Sequence, residues 1–126
     1  MEKVDDVLTI EVPWPPSINR YWRVWKNRII ISKEGKDYKA HMRKFLHLQL
    51  MKETLPLFPQ PAKLECQIIA YPPDLRKRDS DNISKVLLDS LNKIIWDDDV
   101  QLYRIIVEKV YSEEKGYCLV KVKEID

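Results

Sequence analysis

The chain predicts an α+β fold, a small mixed β-sheet with two main helices packed on it, and three observations predict it. Apolar residues alternate at Leu8, Ile10 and Val12, at Leu64, Cys66, Ile68 and Ala70, and in two segments after Arg104. A period of two means strands with one buried face. The segments Lys33 to Met51 and Asn82 to Ile95 instead space their apolar residues by three and four, as amphipathic helices do. Prolines at 13–16, 56–61 and 72–73 punctuate these runs, because a residue without a backbone donor stops both sheet and helix.

In order, Val7 to Val12 reads as a half-buried strand stopped by Pro13-Trp14-Pro15-Pro16. Ser17 to Trp25 is rich in Asn, Arg and aromatics, and Asn27-Arg28 is placed to turn a hairpin returning through Ile29-Ile30-Ile31. Ser32 is a candidate N-cap for the first long helix, whose apolar side carries Tyr38, Met42, Phe45, Leu46 and Leu50. Thr54 to Pro61 is a connector, Lys63 to Tyr71 a strand, and Asp74 to Ser80 a charged loop. The second helix follows, starting just after Asp81 and packing Ile83, Val86, Leu87, Leu91, Ile94 and Ile95. Arg104 to Tyr111 and Tyr117 to Ile125 are strands around Ser112-Glu113-Glu114-Lys115-Gly116, which reads as a hairpin loop. Strand, hairpin, helix, strand, helix, strand, strand is the order of an α+β layer structure.

At 126 residues one domain, 1–126, is expected. With 33% charged and 44% hydrophobic residues the composition is that of an ordinary soluble globular protein. The net charge of +2 conceals an uneven distribution. Between Trp14 and Lys44 stand Arg20, Arg23, Lys26, Arg28, Lys33, Lys36, Lys39, Arg43 and Lys44, against only Glu34 and Asp37. Such a half attracts phosphate backbones, although a solvated face has the same composition. Cys66 and Cys118 are too few for a disulfide framework or a zinc cage, and read as buried free thiols in a reducing compartment. The acidic start Met1-Glu2-Lys3-Val4-Asp5-Asp6 is unlike a signal peptide, and no apolar run approaches the roughly 20 residues of a membrane span. A cytoplasmic protein is expected.

Chemistry concentrates in Arg76-Lys77-Arg78-Asp79-Ser80-Asp81-Asn82-Ile83-Ser84-Lys85 and, one helix later, Trp96-Asp97-Asp98-Asp99. Hard divalent cations take carboxylate oxygens, and phosphates take Arg and Lys, so the mixture points to metal-dependent chemistry on a phosphodiester. Asn82, Lys85, Asp89, Asn92 and Lys93 form one polar stripe along the helix. For Asp98 and Asp99 to join Asp79 and Asp81 they must fold back beside the helix start. Each carboxylate also has a structural reading: Asp81 as an N-cap, Asp79 as a partner of Arg76 or Arg78, and Asp97 to Asp99 as a surface turn. One cap, however, accounts for one carboxylate only.

These blocks resemble the RusA family of Holliday junction resolvases. The resemblance runs through Pro13-Trp14-Pro15-Pro16-Ser17-Ile18-Asn19-Arg20-Tyr21-Trp22-Arg23, the central stretch Arg78 to Asn92, and Asp98-Asp99-Val100-Gln101-Leu102. It implies a RusA-like fold and a crossover junction endodeoxyribonuclease, and places the family's catalytic aspartates on Asp79, Asp81 and Asp99 and its lysine on Lys85. Asp79, Asp81 and Asp99 would hold Mg²⁺ (or Mn²⁺), with Asp98 a candidate supporting ligand. Lys85, one turn after Asp81, is suited to stabilise charge on the phosphoryl oxygens. Asn19, Arg20, Arg23, Lys26, Arg76, Lys77 and Arg78 are the candidate DNA contacts. Trp14, Tyr21, Trp22 and Trp25 could stack on unpaired bases, where packing is the more ordinary role. A four-way junction has two-fold symmetry, so paired cuts by a short chain with one acidic cluster imply a C₂ homodimer, as the resemblance does.

Two other classes fit parts of the pattern. Aspartyl-phosphate phosphatases share Asp-x-Asp, but their nucleophile follows a buried strand, unlike Asp79 after Asp74-Leu75-Arg76-Lys77-Arg78. A structure-selective DNA-binding protein without catalysis explains the basic half and leaves the acidic groups unexplained.

Overall fold

Alternation and helical spacing both translate into regular structure in the computed structural model, which describes residues 7–50 and 56–126. In chain order the elements are β1 (Val7–Pro13), α1 (Ile18–Tyr21), β2 (Trp22–Trp25), β3 (Arg28–Ile31), α2 (Lys33–Gln49), β4 (Lys63–Tyr71), α3 (Ser80–Leu91), a 3₁₀ turn (Asp99–Gln101), β5 (Leu102–Lys109) and β6 (Tyr117–Ile125). Four strands form one mixed sheet in the order β1-β6-β4-β5, with β5 parallel to β4 and the other pairs antiparallel. The expected α+β class, with α2 and α3 as the main helices, is what the chain builds.

One face of the sheet is covered. Ile10, Val12, Leu64, Cys66, Ile68, Ala70, Cys118, Val120 and Val122 are buried on it, beneath Tyr38, Met42 and Leu46 of α2 and Ile83, Val86, Leu87 and Leu91 of α3. Burial pushes both thiols up to about 12, so Cys66 and Cys118 remain protonated packing groups. The other face is polar, with Glu65 held by Arg104 at 2.7 Å and Lys123 at 3.6 Å. Antiparallel sheets tolerate such a solvated face. Ser32 caps α2 as expected, accepting from the Gly35 N–H at 2.9 Å. Gly35 is fixed by close approach: a Cβ there would lie 2.5 Å from the Tyr21 carbonyl oxygen.

Four expectations need correction. The hairpin turns at Lys26-Asn27, not Asn27-Arg28, with φ of 50° and 60°. A two-residue hairpin turn matched to strand twist needs positive φ at both positions, and Arg28 is thereby left to pair with Trp25. Helix α2 stops at Gln49; Met51 and Thr54 lie outside the described residues. Helix α3 is capped by Asp79 rather than Asp81 and ends at Leu91, after which Ile94, Ile95 and Trp96 are buried from a turn closed by Lys93 N–H to the Trp96 carbonyl at 2.8 Å. Residues 112–116 are no hairpin loop, because β4 lies between β5 and β6. Parallel pairing brings β5 out beside the end of β4, and the chain crosses that end before β6, with Val110 N–H donating to Ala70 and Gly116 N–H to Tyr71. Gly116 supplies the left-handed turn, at φ 86°.

Candidate functional site

At the N-terminal end of α3, Asp79 has extended backbone and its carboxylate accepts the Asp81 N–H at 2.9 Å. It is an N-cap, satisfying a donor the helix leaves free. Asp81, in the first turn, is exposed and lies 3.3 Å from Lys85, which is also exposed. The preceding loop is organised by Asp74, which receives Arg78 at 2.8 Å and Arg76 at 3.2 Å. Hydrogen bonds from Arg78, then from Arg76, hold its carboxyl well below the usual range. Arg78 also lies over the Trp14 ring, 5.5 Å from its centroid, and Lys109 at the end of β5 donates to the Arg78 carbonyl at 2.6 Å.

The second acidic group stays at the other end of the helix. Asp99 accepts the indole N–H of buried Trp96 at 2.6 Å. Partial desolvation raises its pKa, the charges of Asp89 and Asp98 push the same way, and Trp96 and Lys93 oppose them. Asp98 is used differently: its carboxylate accepts the Val100 N–H at 3.0 Å and forms a capping box with Gln101. Gln101 is buried and makes four bonds, accepting the Asp97 and Asp98 N–H groups at 2.8 and 2.9 Å and donating to Phe58 and Ala62 at 2.9 Å each. This knot holds the turn that presents Asp99.

The expected folding-back does not occur within one chain. Asp99 sits in the field of Asp89, two turns along α3 from Asp81 and about 12 Å away at 1.5 Å per residue. Among the described residues no three His, Cys, Asp or Glu side chains are close enough to share a metal ion. The reason is topological. Strand β5 runs parallel to β4, so it must start at the edge of the sheet to which α3 descends, and Asp99 immediately precedes it.

Of the candidate DNA contacts, Asn19, Arg20, Arg76, Lys77 and Arg78 line a single open groove of about 830 Å³ with Asp79 and Trp14. Arg23 and Lys26 stand apart on the exposed β2–β3 hairpin. The guanidinium of Arg78 is largely committed to Asp74 and Trp14. Of the aromatics, Tyr21 is fully buried and so offers no base-stacking surface, Trp22 is half-buried and packs edge-on against it, and Trp25 is 47% exposed.

The model of a family described as Endodeoxyribonuclease RusA matches residues 13–123. The chain belongs to the RusA family. It is 37% identical over 101 residues to the crossover junction endodeoxyribonuclease RusA of Shigella sonnei (strain Ss046), covering 78% of this chain and 80% of the relative. The protein of that name from Escherichia coli (strain K12) is 36% identical with the same coverage. The one from Enterobacteria phage HK97 is 35% identical over 116 residues, 91% of this chain and 92% of that one.

For this RusA-family chain the structure adds partners that no local pattern announced. Tyr21 donates its hydroxyl to Asp89, and Lys39 of α2 lies 3.5 Å from the same oxygen. Burial, then Asp89, raises the Tyr21 pKa, so it stays a donor. The contact joins α1, α2 and α3 beside the second acidic group. Asp89 was visible on the polar stripe, but its partner lies 68 residues away. Trp96, read only as the residue before the acidic run, orients Asp99.

Proposed function

We propose that this chain resolves four-way (Holliday) DNA junctions by paired, divalent-cation-dependent phosphodiester hydrolysis as a homodimer, in recombination and repair. The observation that carries the reading is the family match over residues 13–123, which takes in both acidic groups, with relatives named crossover junction endodeoxyribonucleases. Carboxylates interleaved with cations support it, since hydrolysis of a phosphodiester needs both kinds of group.

Asp79, Asp81 and Asp99 are hard oxygen donors of the kind Mg²⁺ prefers, with Mn²⁺ an alternative. One chain does not gather them, and this supports the dimer reading. Among the described residues strand β5 is an open edge of the sheet with Tyr103, Ile105 and Ile106 exposed, an arrangement that invites another strand. Its start adjoins Asp99 and its end reaches Arg78, next to Asp79. Two β5 edges paired antiparallel about Ile106 would set Arg104 opposite Glu108 and carry one copy's Asp99 toward the other's Asp79 and Asp81. A cation held there would polarise the scissile phosphate and acidify a bound water. Lys85 stabilises the charge that develops on the phosphoryl oxygens, and the groove cations with Arg23 and Lys26 hold the backbone.

The test is cleavage of a synthetic four-way junction and a matched linear duplex, with and without Mg²⁺. Paired, metal-dependent cuts confined to the junction are expected. The alternative reading is junction binding without cutting. Tight binding with no product at any Mg²⁺ or Mn²⁺ concentration would establish it.

A further inference from the structure

The groove beside Asp79 has a lining unlike a plain phosphate-binding surface. Its cations, Arg20, Arg76, Lys77 and Arg78, are nearly balanced by Glu34, Asp37 and Asp79. Glu34 and Asp37 are already paired, with Arg20 at 3.4 Å and Lys33 at 3.1 Å. The remaining lining joins an apolar wall of Trp14, Ile18, Ile83 and prolines 15, 16 and 73 to polar groups on Ser17, Tyr38 and His41 and the side-chain amides of Asn19 and Asn82. An apolar wall with a few amides is the lining of a site for a flat, largely neutral, hydrogen-bonding group. At about 830 Å³ the space is of small-ligand size.

We propose that this groove receives one unpaired nucleotide of the DNA, adjacent to the strand to be cut, and so sets the sequence at which cutting occurs. The base lies against Trp14, Ile18 and Ile83, its edge is read by Asn19 and Asn82, and its phosphate is met by the exposed Arg76 and Lys77. Amides suit this task because each offers a donor and an acceptor to a base edge. Trp14 is suited to the wall because Arg78, 5.5 Å from its ring centroid and tied to Asp74, lies against it. The assignment rests on the junction-cutting function proposed above and adds a subsite to it.

The experiment uses the full chain and junctions carrying 2-aminopurine at successive positions on either side of the cut, with Ca²⁺ to withhold cleavage. Fluorescence should rise on binding at one position, where the base leaves the stack, and Asn82→Ala should remove most of that rise. Cleavage of a mobile junction by Asn82→Ala should lose discrimination among sequences about tenfold, the worth of one base-edge contact. Asn19→Ala gives an independent second variant with the same expectation. If the wild-type protein binds and cuts junctions but no flanking position brightens, the subsite is wrong while the nuclease reading stands. If Asn82→Ala and Asn19→Ala cut every sequence equally more slowly, with preference intact, the groove contacts backbone only and the inference is overturned. A chain that neither binds nor cuts junctions overturns both.

Discussion

The two ends of α3 carry the same chemical group in opposite settings. At the N-terminal end, Asp79 and Asp81 lie among Arg76, Lys77, Arg78 and Lys85, and Asp79 is held by the helix itself as its cap. At the C-terminal end Asp99 has Asp89 and Asp98 for neighbours and only Lys93 to offset them. The first pair is stabilised by its surroundings in the isolated chain; Asp99 is held against them by Trp96 and the Gln101 knot.

The largest effects should come from breaking either end. Asp79→Asn, Asp81→Asn and Asp99→Asn should each lower junction cleavage by about a thousandfold, comparable to loss of a main electrostatic contributor, while gel-shift affinity holds or improves as charge repulsion falls. Mixing inactive Asp79→Asn and Asp99→Asn chains distinguishes the arrangements. If a site takes its two ends from different copies, the mixed dimer keeps one intact site and should nick one strand. If each chain holds a whole site, the mixture stays inactive.

Next in size is the scaffold of the C-terminal end. Gln101→Ala removes the partner of four backbone groups at part-buried positions and should cost about 2 kcal/mol by denaturant unfolding, with cleavage falling as Asp99 loses its support. Asp98→Asn keeps an oxygen for the cap and should be impaired but active, and Asp97→Asn should be close to wild type. An inactive Asp98→Asn with unchanged stability would move the ligand by one residue.

Smaller changes separate turnover from affinity at the N-terminal end. Lys85→Ala should reduce kcat far more than binding, whereas Arg23→Ala or Lys26→Ala should weaken binding and reduce the salt slope by about one unit per lost phosphate contact. Equal losses of affinity from all three would make Lys85 an ordinary phosphate contact. The least effect is in acid. Arg78 and Arg76 depress the Asp74 pKa, so its contribution is complete above the unfolded value of about 3.9 and is lost as pH falls through the folded one. Asp74→Asn should therefore lower the Tm slightly at neutral pH, with the deficit closing at strongly acid pH.

Much of the fold was legible because its signals are local. Alternation placed Leu64, Cys66, Ile68 and Ala70 on the covered face, and Ser32 marked the start of α2. The misses arose where several local solutions compete. Asp79, Ser80 and Asp81 are all good N-caps by residue type, and in the structure Asp79 takes the position. The hairpin turn slipped by one residue because Asn27 fits either position, and Ser112 to Gly116 looks like a hairpin loop whether or not its flanking strands pair.

The sequence by itself determined the α+β class, the two helices, the ordered motifs that make this a RusA-family chain, and the residue types available for chemistry. Those properties depend on periodicity and on which side chains stand within a few positions of one another. Only the tertiary structure decided that β5 joins β4 in parallel, that Tyr21 reaches Asp89, and that Asp99 remains at the far end of α3 from Asp79. Strand partnership and helix packing depend on residues tens of positions apart, and one parallel pairing was enough to leave Asp99 beside Trp96 and Asp89 instead of in a cluster with Asp79 and Asp81.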